Sequence, residues 1–286
     1  MKKSIISVIL MSWGFSTMVL AEDSTDAEAN VEVEQSTSSA AKESSQAKDL
    51  AQNAVNPLTT TITVPIQFEY NENIGIDDEG TRSTVFVQPI IPFEISEDWN
   101  LITRTIVPFM KQDDIFPGAG SQSGIGDISE SLFFSPDYLV GGWTVGFGPY
   151  LQFDTATDDY LGFEEHGVGA SFIALQVDGP LLYGFLANQV YSVEGHVGGT
   201  YSNTFIQPFV DYTTDGGLTW ELTSESNYNW NTEEWSVPVT LTASQFFMIG
   251  EQPILIGGGV KYWLESTESD PEGISLNLNL YLLFPK

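Results

Sequence analysis

The sequence predicts an all-β protein: a closed antiparallel up-and-down transmembrane β-barrel of about twelve strands, preceded by a short helical or disordered periplasmic segment. Three features of the chain predict this fold. They are an alternating apolar strand at the C-terminus, a regular alternation of short and long connections, and an export signal at the N-terminus.

The C-terminal strand gives the strongest indication. From Gly273 to Phe284, apolar and polar side chains alternate, and a strand places alternate side chains on opposite faces. One face carries Ile274, Leu276, Leu278, Leu280, Leu282 and Phe284. The segment is close to the ~9–11 residues that cross a bilayer as a tilted strand. We therefore expect its apolar face to contact lipid.

The connections between predicted strands alternate in length. We predict strands at 59–70, 83–94, 99–109, 124–134, 142–153, 167–177, 181–192, 201–212, 217–228, 235–245, 252–264 and 273–284. Short connections, such as 178–180 and 213–216, alternate with mostly longer, acidic ones, such as 154–166. Outer-membrane barrels have short periplasmic turns, longer outside loops and an even strand number. The alternation thus places both termini in the periplasm, although it does not assign the faces of 124–134 and 181–192.

The aromatic residues support this prediction, whereas the prolines weigh against it. Trp99, Trp143 and Trp220 follow short turns, whereas Trp235 and Trp263 lie near long loops, as expected for aromatic girdles at the two membrane interfaces. Prolines inside predicted strands are unfavourable because proline donates no ladder hydrogen bond, and they include Pro65, Pro89, Pro92, Pro108, Pro149, Pro208 and Pro238.

The N-terminus predicts export. Residues 1–21 have the form of a signal peptide, in which Lys2 and Lys3 precede a mostly apolar run and Ala21 precedes the cleavage point. The chain contains no cysteine, which excludes a lipoprotein anchor. We therefore expect the protein to reside in the outer membrane of a Gram-negative bacterium, with outer-membrane lipid, lipopolysaccharide and the barrel-assembly machinery as partners.

The segment 22–57 precedes the predicted barrel, 58–286. It is acidic and poor in large apolar residues up to about residue 48, so it is expected to be disordered. Its composition permits a short helix over 40–55, ending before Pro57. This helix would lie outside the barrel or plug its periplasmic mouth, and the sequence does not distinguish the two.

The charge of the chain is strongly acidic. After signal cleavage, seven basic residues remain against 39 acidic ones, a formal net charge of −32. Nucleic acid is excluded as a partner, because phosphate binding requires clustered Lys and Arg. The acidity fits a cation-attracting pore, and it fits adaptation to saline water equally well.

Several motifs resemble a known family. The stretches are LAQNAVNP (50–57), VQPIIPF (87–93), DWNLITRTIVPF (98–109), GIGDI (124–128), GGWTVGFGP (141–149), QPFVDYTT (207–214), GGGVKYW (257–263) and LLFPK (282–286). Together they resemble bacterial outer-membrane proteins related to the MetA-pathway phenol-degradation family, often labelled "transporter" or, misleadingly, "neuromedin U". The chain departs from this pattern at 163–166 and in its longer acidic N-terminal segment. The resemblance implies a barrel with a transport role.

Polar residues inside the strands should face the lumen. A lipid-facing Arg or Lys costs ~2–4 kcal/mol at the membrane midplane. We therefore expect the pore to be lined by Glu69, Gln88, Arg104, Gln152, Glu221, Glu225 and Lys261. Arg104 and Lys261 are the only basic residues within the predicted strands. They would form two positive constrictions in an acidic path, or belong to a salt-bridge network that fills a closed barrel.

Enzymatic and metal chemistry have little support in the sequence. The two histidines, His166 and His196, fall in or at the edge of predicted outside loops, and neither adjoins a G-x-S-x-G motif. We predict no enzyme, no catalytic residue, no cofactor and no dedicated metal centre. The outside loop carries Asp154, Asp158 and Asp159, whose oxygens could bind Ca²⁺ or the divalent ions that bridge lipopolysaccharide. The alternative is a solvated acidic loop that binds no ion.

The function predicted from the sequence is passive passage of small solutes through a porin-like outer-membrane channel. By the family resemblance these solutes would be hydrophobic or aromatic. The alternative is a structural or adhesive barrel with a plugged lumen and functional outside loops.

Overall fold

A computed structural model describes residues 42–193 and 201–285 of the chain. The predicted signal peptide, the segment 22–41 and His196 lie outside the described residues. The described part begins with an α-helix, α1 (42–55), and continues as β-strands with one 3₁₀ turn, Asp159–Leu161. No helix in the described residues is long and apolar enough to cross a membrane.

The strands follow α1 in chain order. They are β1 (Ile62–Ile74), β2 (Gly80–Val87), β3 (Ile90–Ser96), β4 (Trp99–Asp113), β5 (Ser121–Ile125), β6 (Ile128–Pro136), β7 (Thr144–Phe153), β8 (Gly167–Asp178), β9 (Leu181–Ser192), β10 (Ser202–Thr213), β11 (Leu218–Thr223), β12 (Ser226–Asn229), β13 (Glu234–Ile249), β14 (Gln252–Glu265) and β15 (Ile274–Phe284).

These strands close into a barrel of twelve spanning segments, which confirms the predicted fold. Three segments are interrupted, so that β2 with β3, β5 with β6, and β11 with β12 each form one span. All strand pairs in the described residues are antiparallel neighbours. The pairs β15–β1 and β9–β10 complete the ring.

The strand interruptions account for several of the prolines. Each interruption lies opposite a proline whose carbonyl accepts a backbone hydrogen bond from it: Gln88 N to Pro65 O (2.8 Å), Gly126 N to Pro108 O (2.9 Å) and Ser224 N to Pro208 O (3.1 Å). A proline has no N–H to return to the ladder, so regular pairing stops beside it. The hydrogen bonds that these prolines cannot donate are therefore missing at bulges, where regular pairing is already interrupted.

The strand faces follow the predicted alternation. In β15, Leu278 is 60% exposed on the outer surface, whereas Asn277 beside it is 2% exposed and faces inward. The structure also assigns the two spans left open by the sequence. Ser131 and Phe133 of β6 and Leu186 of β9 are buried, while Phe185 of β9 is exposed on the outer face.

Trp263 was wrongly predicted to belong to the outer girdle. Its side chain lines the barrel interior, and its indole Nε1 donates to Ser275 Oγ at 3.2 Å. Strand alternation explains this position, because Trp263 shares the inner face of β14 with Lys261. Trp220 and Trp235 are exposed.

Helix α1 occupies the end of the barrel where the short turns lie, here called the short-turn end. Ala51 and Ala54 are fully buried against Leu255 and Leu283 of the inner wall. The helix is also bonded to two short turns, by Gln52 Nε2 to the Gly179 carbonyl (2.9 Å) and by Ser44 Oγ to the Asp215 carbonyl (3.0 Å). The predicted helix is confirmed, and of the two arrangements the structure shows the plug.

The chain turns into the wall directly after α1. Pro57 follows the helix and cannot extend it. Leu58 then enters a buried apolar cluster with Ile90, Ile102, Phe133, Ile173, Leu175 and Leu186. Because this cluster joins strands from about half of the barrel, Leu58 anchors the plug to the wall.

Candidate functional site: the lumen

Within the described residues, two cavities of the barrel interior meet at a shared set of polar side chains. The inner cavity, of about 100 Å³, lies beside Ala54 and Val55 of α1. The outer cavity, of about 500 Å³, extends to loop residues such as Thr267 and Asp270. Four residues line both cavities and are here called the waist: Gln67, Gln88, Arg104 and Glu225.

One half of the waist is a chain of hydrogen bonds that begins at Arg104. Its guanidinium Nη2 donates to Gln88 Oε1 at 2.8 Å. Gln88 Nε2 donates to Gln67 Oε1 at 3.3 Å, and Gln67 Nε2 donates to Glu69 Oε1 at 2.8 Å. The two amides therefore connect a half-buried cation on β4 to a buried carboxylate on β1.

Lys261 completes the chain on the other side. Its Nζ lies 2.5 Å from Glu69 Oε1 and 3.4 Å from Glu225 Oε2. Lys261 is 5% exposed, and Glu69 is similarly buried. Two cations and two carboxylates thus lie at the waist or directly beside it, and pairing such as that of Lys261 permits charged groups to remain buried.

The local backbone explains why these side chains meet. Glu69 and Lys261 lie on inward positions of β1 and β14, where alternation places them. Gln88 and Glu225 lie at two of the strand interruptions, between β2 and β3 and between β11 and β12. A bulge re-aims the side chain it carries, so the proline-linked interruptions supply two of the four waist residues.

All seven residues expected to line a pore lie on the inner side of the wall. The outer cavity is lined by Glu69, Gln88, Arg104, Gln152, Glu225 and Lys261, and the inner cavity by Gln88, Arg104, Glu221 and Glu225. Gln67, Asp211, Asn277 and Asn279 also line the inner cavity. They follow the same alternation rule, although they were not among the residues predicted to line a pore. Whether these residues line a conducting path is a separate question of function.

The expectation that strands contain two basic residues is wrong. Arg82 and Lys111 also lie within strands, because β2 begins at Gly80 and β4 continues to Asp113. Arg82 Nε donates to Gln112 Oε1 at 3.0 Å. Both lie towards the long-loop end, beyond the waist.

The outer cavity has aromatic as well as polar walls. Phe163 and Tyr201 stack with ring centroids 4.5 Å apart, and Tyr150 and Trp263 also line it. Burial raises the pKa of the Tyr201 phenol, which therefore stays protonated at neutral pH. This cavity can contact both the faces of an apolar solute and its polar substituents.

The acidic outside loop is organised around a different carboxylate. Asp127 accepts hydrogen bonds from the backbone of Thr155, Ala156 and Phe163. Asp158 Oδ1 accepts from Tyr160 N, and Asp154 donates its backbone N–H to His166 Nδ1. Within the described ranges, no group of three or more His, Cys, Asp or Glu residues is placed to hold a metal ion. Cation binding by Asp154, Asp158 and Asp159 remains a prediction.

Comparison with known proteins supports the fold. No protein-family model and no curated protein sequence matches the chain. Among solved structures, the chain resembles an outer-membrane channel from Pseudomonas putida F1, with 13% identity, 79% of this chain and 97% of that chain covered, and a TM-score of 0.62. Outer-membrane phospholipase A from Escherichia coli is less similar, with 13% identity, coverage of 85% and 98%, and a TM-score of 0.44.

The class of protein follows from these findings. The chain has the fold of an outer-membrane β-barrel. A likeness at 13% identity shows the fold alone, and a TM-score of 0.44 carries no argument about enzymatic activity. The resemblance to the phenol-degradation-related family stays a prediction.

Proposed function

We propose that the protein is a channel of the Gram-negative outer membrane that passes small solutes passively and is closed at its periplasmic mouth by α1. The observation that carries this proposal is the pair of cavities, one on each side of the waist, inside a closed barrel. A barrel that served only as a scaffold would not need a cavity of about 500 Å³. The short-turn end is the periplasmic side by the loop rule for such barrels.

The solute class follows from the walls of the outer cavity. Aromatic rings at Phe163, Tyr201 and Trp263 favour hydrophobic or aromatic compounds, in agreement with the family resemblance. Polar groups at the waist would select solutes that also carry a hydrogen-bonding substituent.

The plug defines the experiment. Refolded mature protein, a variant lacking 22–41 and a variant lacking 22–56 are compared in planar-bilayer recordings and liposome-swelling assays. The shorter deletion is the control, because it leaves α1 in place. We expect small or rare conductance from the mature protein and the control, and frequent, larger openings when α1 is removed.

A second function rests on a different observation. The hydrogen-bonded waist and the anchored plug also suit a permanently closed barrel that works through its outside loops. In that case all three proteins would be silent in bilayers and impermeable in liposomes. That result would refute the channel proposal and favour the structural or adhesive role.

A further inference from the structure

Two carboxylates face each other in the wall of the inner cavity. Asp211 on β10 and Glu221 on β11 are directly paired in the strand register. Both line the inner cavity. Directly paired residues have Cβ atoms ~5 Å apart, and like charges at such a position destabilise a sheet. Two carboxylates at this spacing therefore need either a shared proton or a bound cation to balance their charge.

The cavity lining supplies too little positive charge. Among the described residues that line it, the acidic ones are Asp211, Glu221 and Glu225, and the basic one is Arg104. Glu225 is already bonded to Lys261, and Arg104 donates to Gln88. The inner cavity thus retains an excess of two negative charges that the waist does not neutralise.

A second observation concerns oxygen atoms at the same cavity that have no hydrogen-bond partner. Asp211 is 2% exposed, and its Oδ1 has no hydrogen-bond partner among the described residues. The same holds for Thr240 Oγ1, Asn277 Oδ1 and Asn279 Oδ1, which are also buried and line this cavity. Buried polar atoms normally have partners, and each one left without costs about 1–3 kcal/mol. Four such oxygens at one cavity therefore need ordered water or a bound cation as a partner.

We propose that the inner cavity binds one hard divalent cation, such as Ca²⁺, between Asp211 and Glu221. Ca²⁺ takes 6–8 oxygen ligands from carboxylates, amide carbonyls and water. Two carboxylates balance its charge, and the Asn and Thr oxygens and water complete the ligand set. A cavity of about 100 Å³ has room for the ion with a few waters.

This site is distinct from the acidic outside loop. It lies beside Ala54 and Val55 of the plug, at the opposite end of the lumen from Asp158 and Asp159. Its existence does not depend on transport, so failure of the channel proposal leaves it standing.

Binding to the refolded full-length mature protein tests the proposal. After chelator treatment, Ca²⁺ is titrated by calorimetry, and Tb³⁺ emission is recorded with tyrosine excitation, because Tyr281 lines the same cavity. The variants are Asp211→Asn and Glu221→Gln, which keep the side-chain shape. The double variant Asp158→Asn with Asp159→Asn is the control, since it removes two carboxylate charges from the loop, whereas each cavity variant removes one.

We expect one ion per chain, displacement of Tb³⁺ by Ca²⁺, and affinity more than about tenfold weaker in each cavity variant. The loop control should bind as the parent does. Absence of saturable binding to the parent protein would overturn the proposal, and so would a loss of binding in the loop control alone. Should Asp211→Asn fail to refold, Glu221→Gln and the Tb³⁺ signal of the parent still decide the question.

Discussion

Replacing Lys261 by Met should destabilise the barrel strongly. Methionine is similar in length to lysine but carries no charge. The substitution therefore leaves Glu69 and Glu225 without their counter-charge; their carboxylates lie 2.5 and 3.4 Å from Lys261 Nζ. Removing one member of a buried ion pair costs about 3–5 kcal/mol. Because Glu225 is less buried than Glu69, we expect the lower end, about 3 kcal/mol. Urea unfolding in detergent micelles, followed by tryptophan fluorescence, measures this loss.

Lys111→Met provides the matched control. Lys111 pairs with Asp113 at 3.3 Å on a much more exposed surface, where an ion pair contributes about 0–1 kcal/mol. The double variant Lys261→Met with Glu69→Gln should recover part of the stability, because it removes one of the two uncompensated carboxylates. If Lys261→Met cost no more than Lys111→Met, the ion pairs of Lys261 with Glu69 and Glu225 would not contribute as buried pairs, and the reasoning would fail.

Three further substitutions test separate parts of the structure. Leu278→Arg places a charge in the lipid-facing band and should cost ~2–4 kcal/mol in liposome unfolding, while the loop substitution Glu268→Arg should be neutral. Arg104→Gln should increase cation over anion permeability, and an unchanged reversal potential in a salt gradient would place Arg104 off the ion path. Leu58→Ala should cost ~2–4 kcal/mol and increase openings in bilayer recordings, and wild-type gating would show that Leu58 does not hold the plug.

Side-chain alternation predicted the fold because lipid and lumen select opposite chemistry on the two faces of every strand. It did not predict where strands end. The prediction 99–109 stops at Phe109, yet β4 continues to Asp113. Polar residues at the strand end resemble a loop in the sequence, whereas barrel strands extend beyond the lipid band, where polarity no longer marks their ends.

The interruptions could not be placed from the sequence, because they depend on neighbouring strands. Pro65 and Gln88 are far apart in the chain, and their hydrogen bond exists only once β1 and β2 are paired in register. The prolines indicated that some backbone hydrogen bonds of the sheet would be lost, but not which strand would be interrupted. In the structure, the interruption lies in the strand paired with the one that carries the proline.

For the candidate site, too, one part could be predicted from the sequence and another part could not. The sequence predicted that Glu69 and Lys261 face inward, but it could not bring together two residues 192 positions apart. It also passed over Asp211, whose significance arises from its pairing with Glu221 across β10 and β11. Inward orientation is a local property of a strand, whereas contacts inside the lumen depend on barrel closure.

Spin-label accessibility along β15 tests the central claim most directly. The chain contains no cysteine, so single cysteines at 275, 276, 277 and 278 can each be labelled in the protein reconstituted into liposomes. Labels at Leu276 and Leu278 should collide often with dissolved oxygen and rarely with a polar nickel chelate, as lipid-facing sites do. Labels at Ser275 and Asn277 should show low oxygen accessibility, because they face the enclosed lumen. Equal collision with the polar chelate at all four positions would contradict a lipid-embedded barrel with a hydrophilic interior.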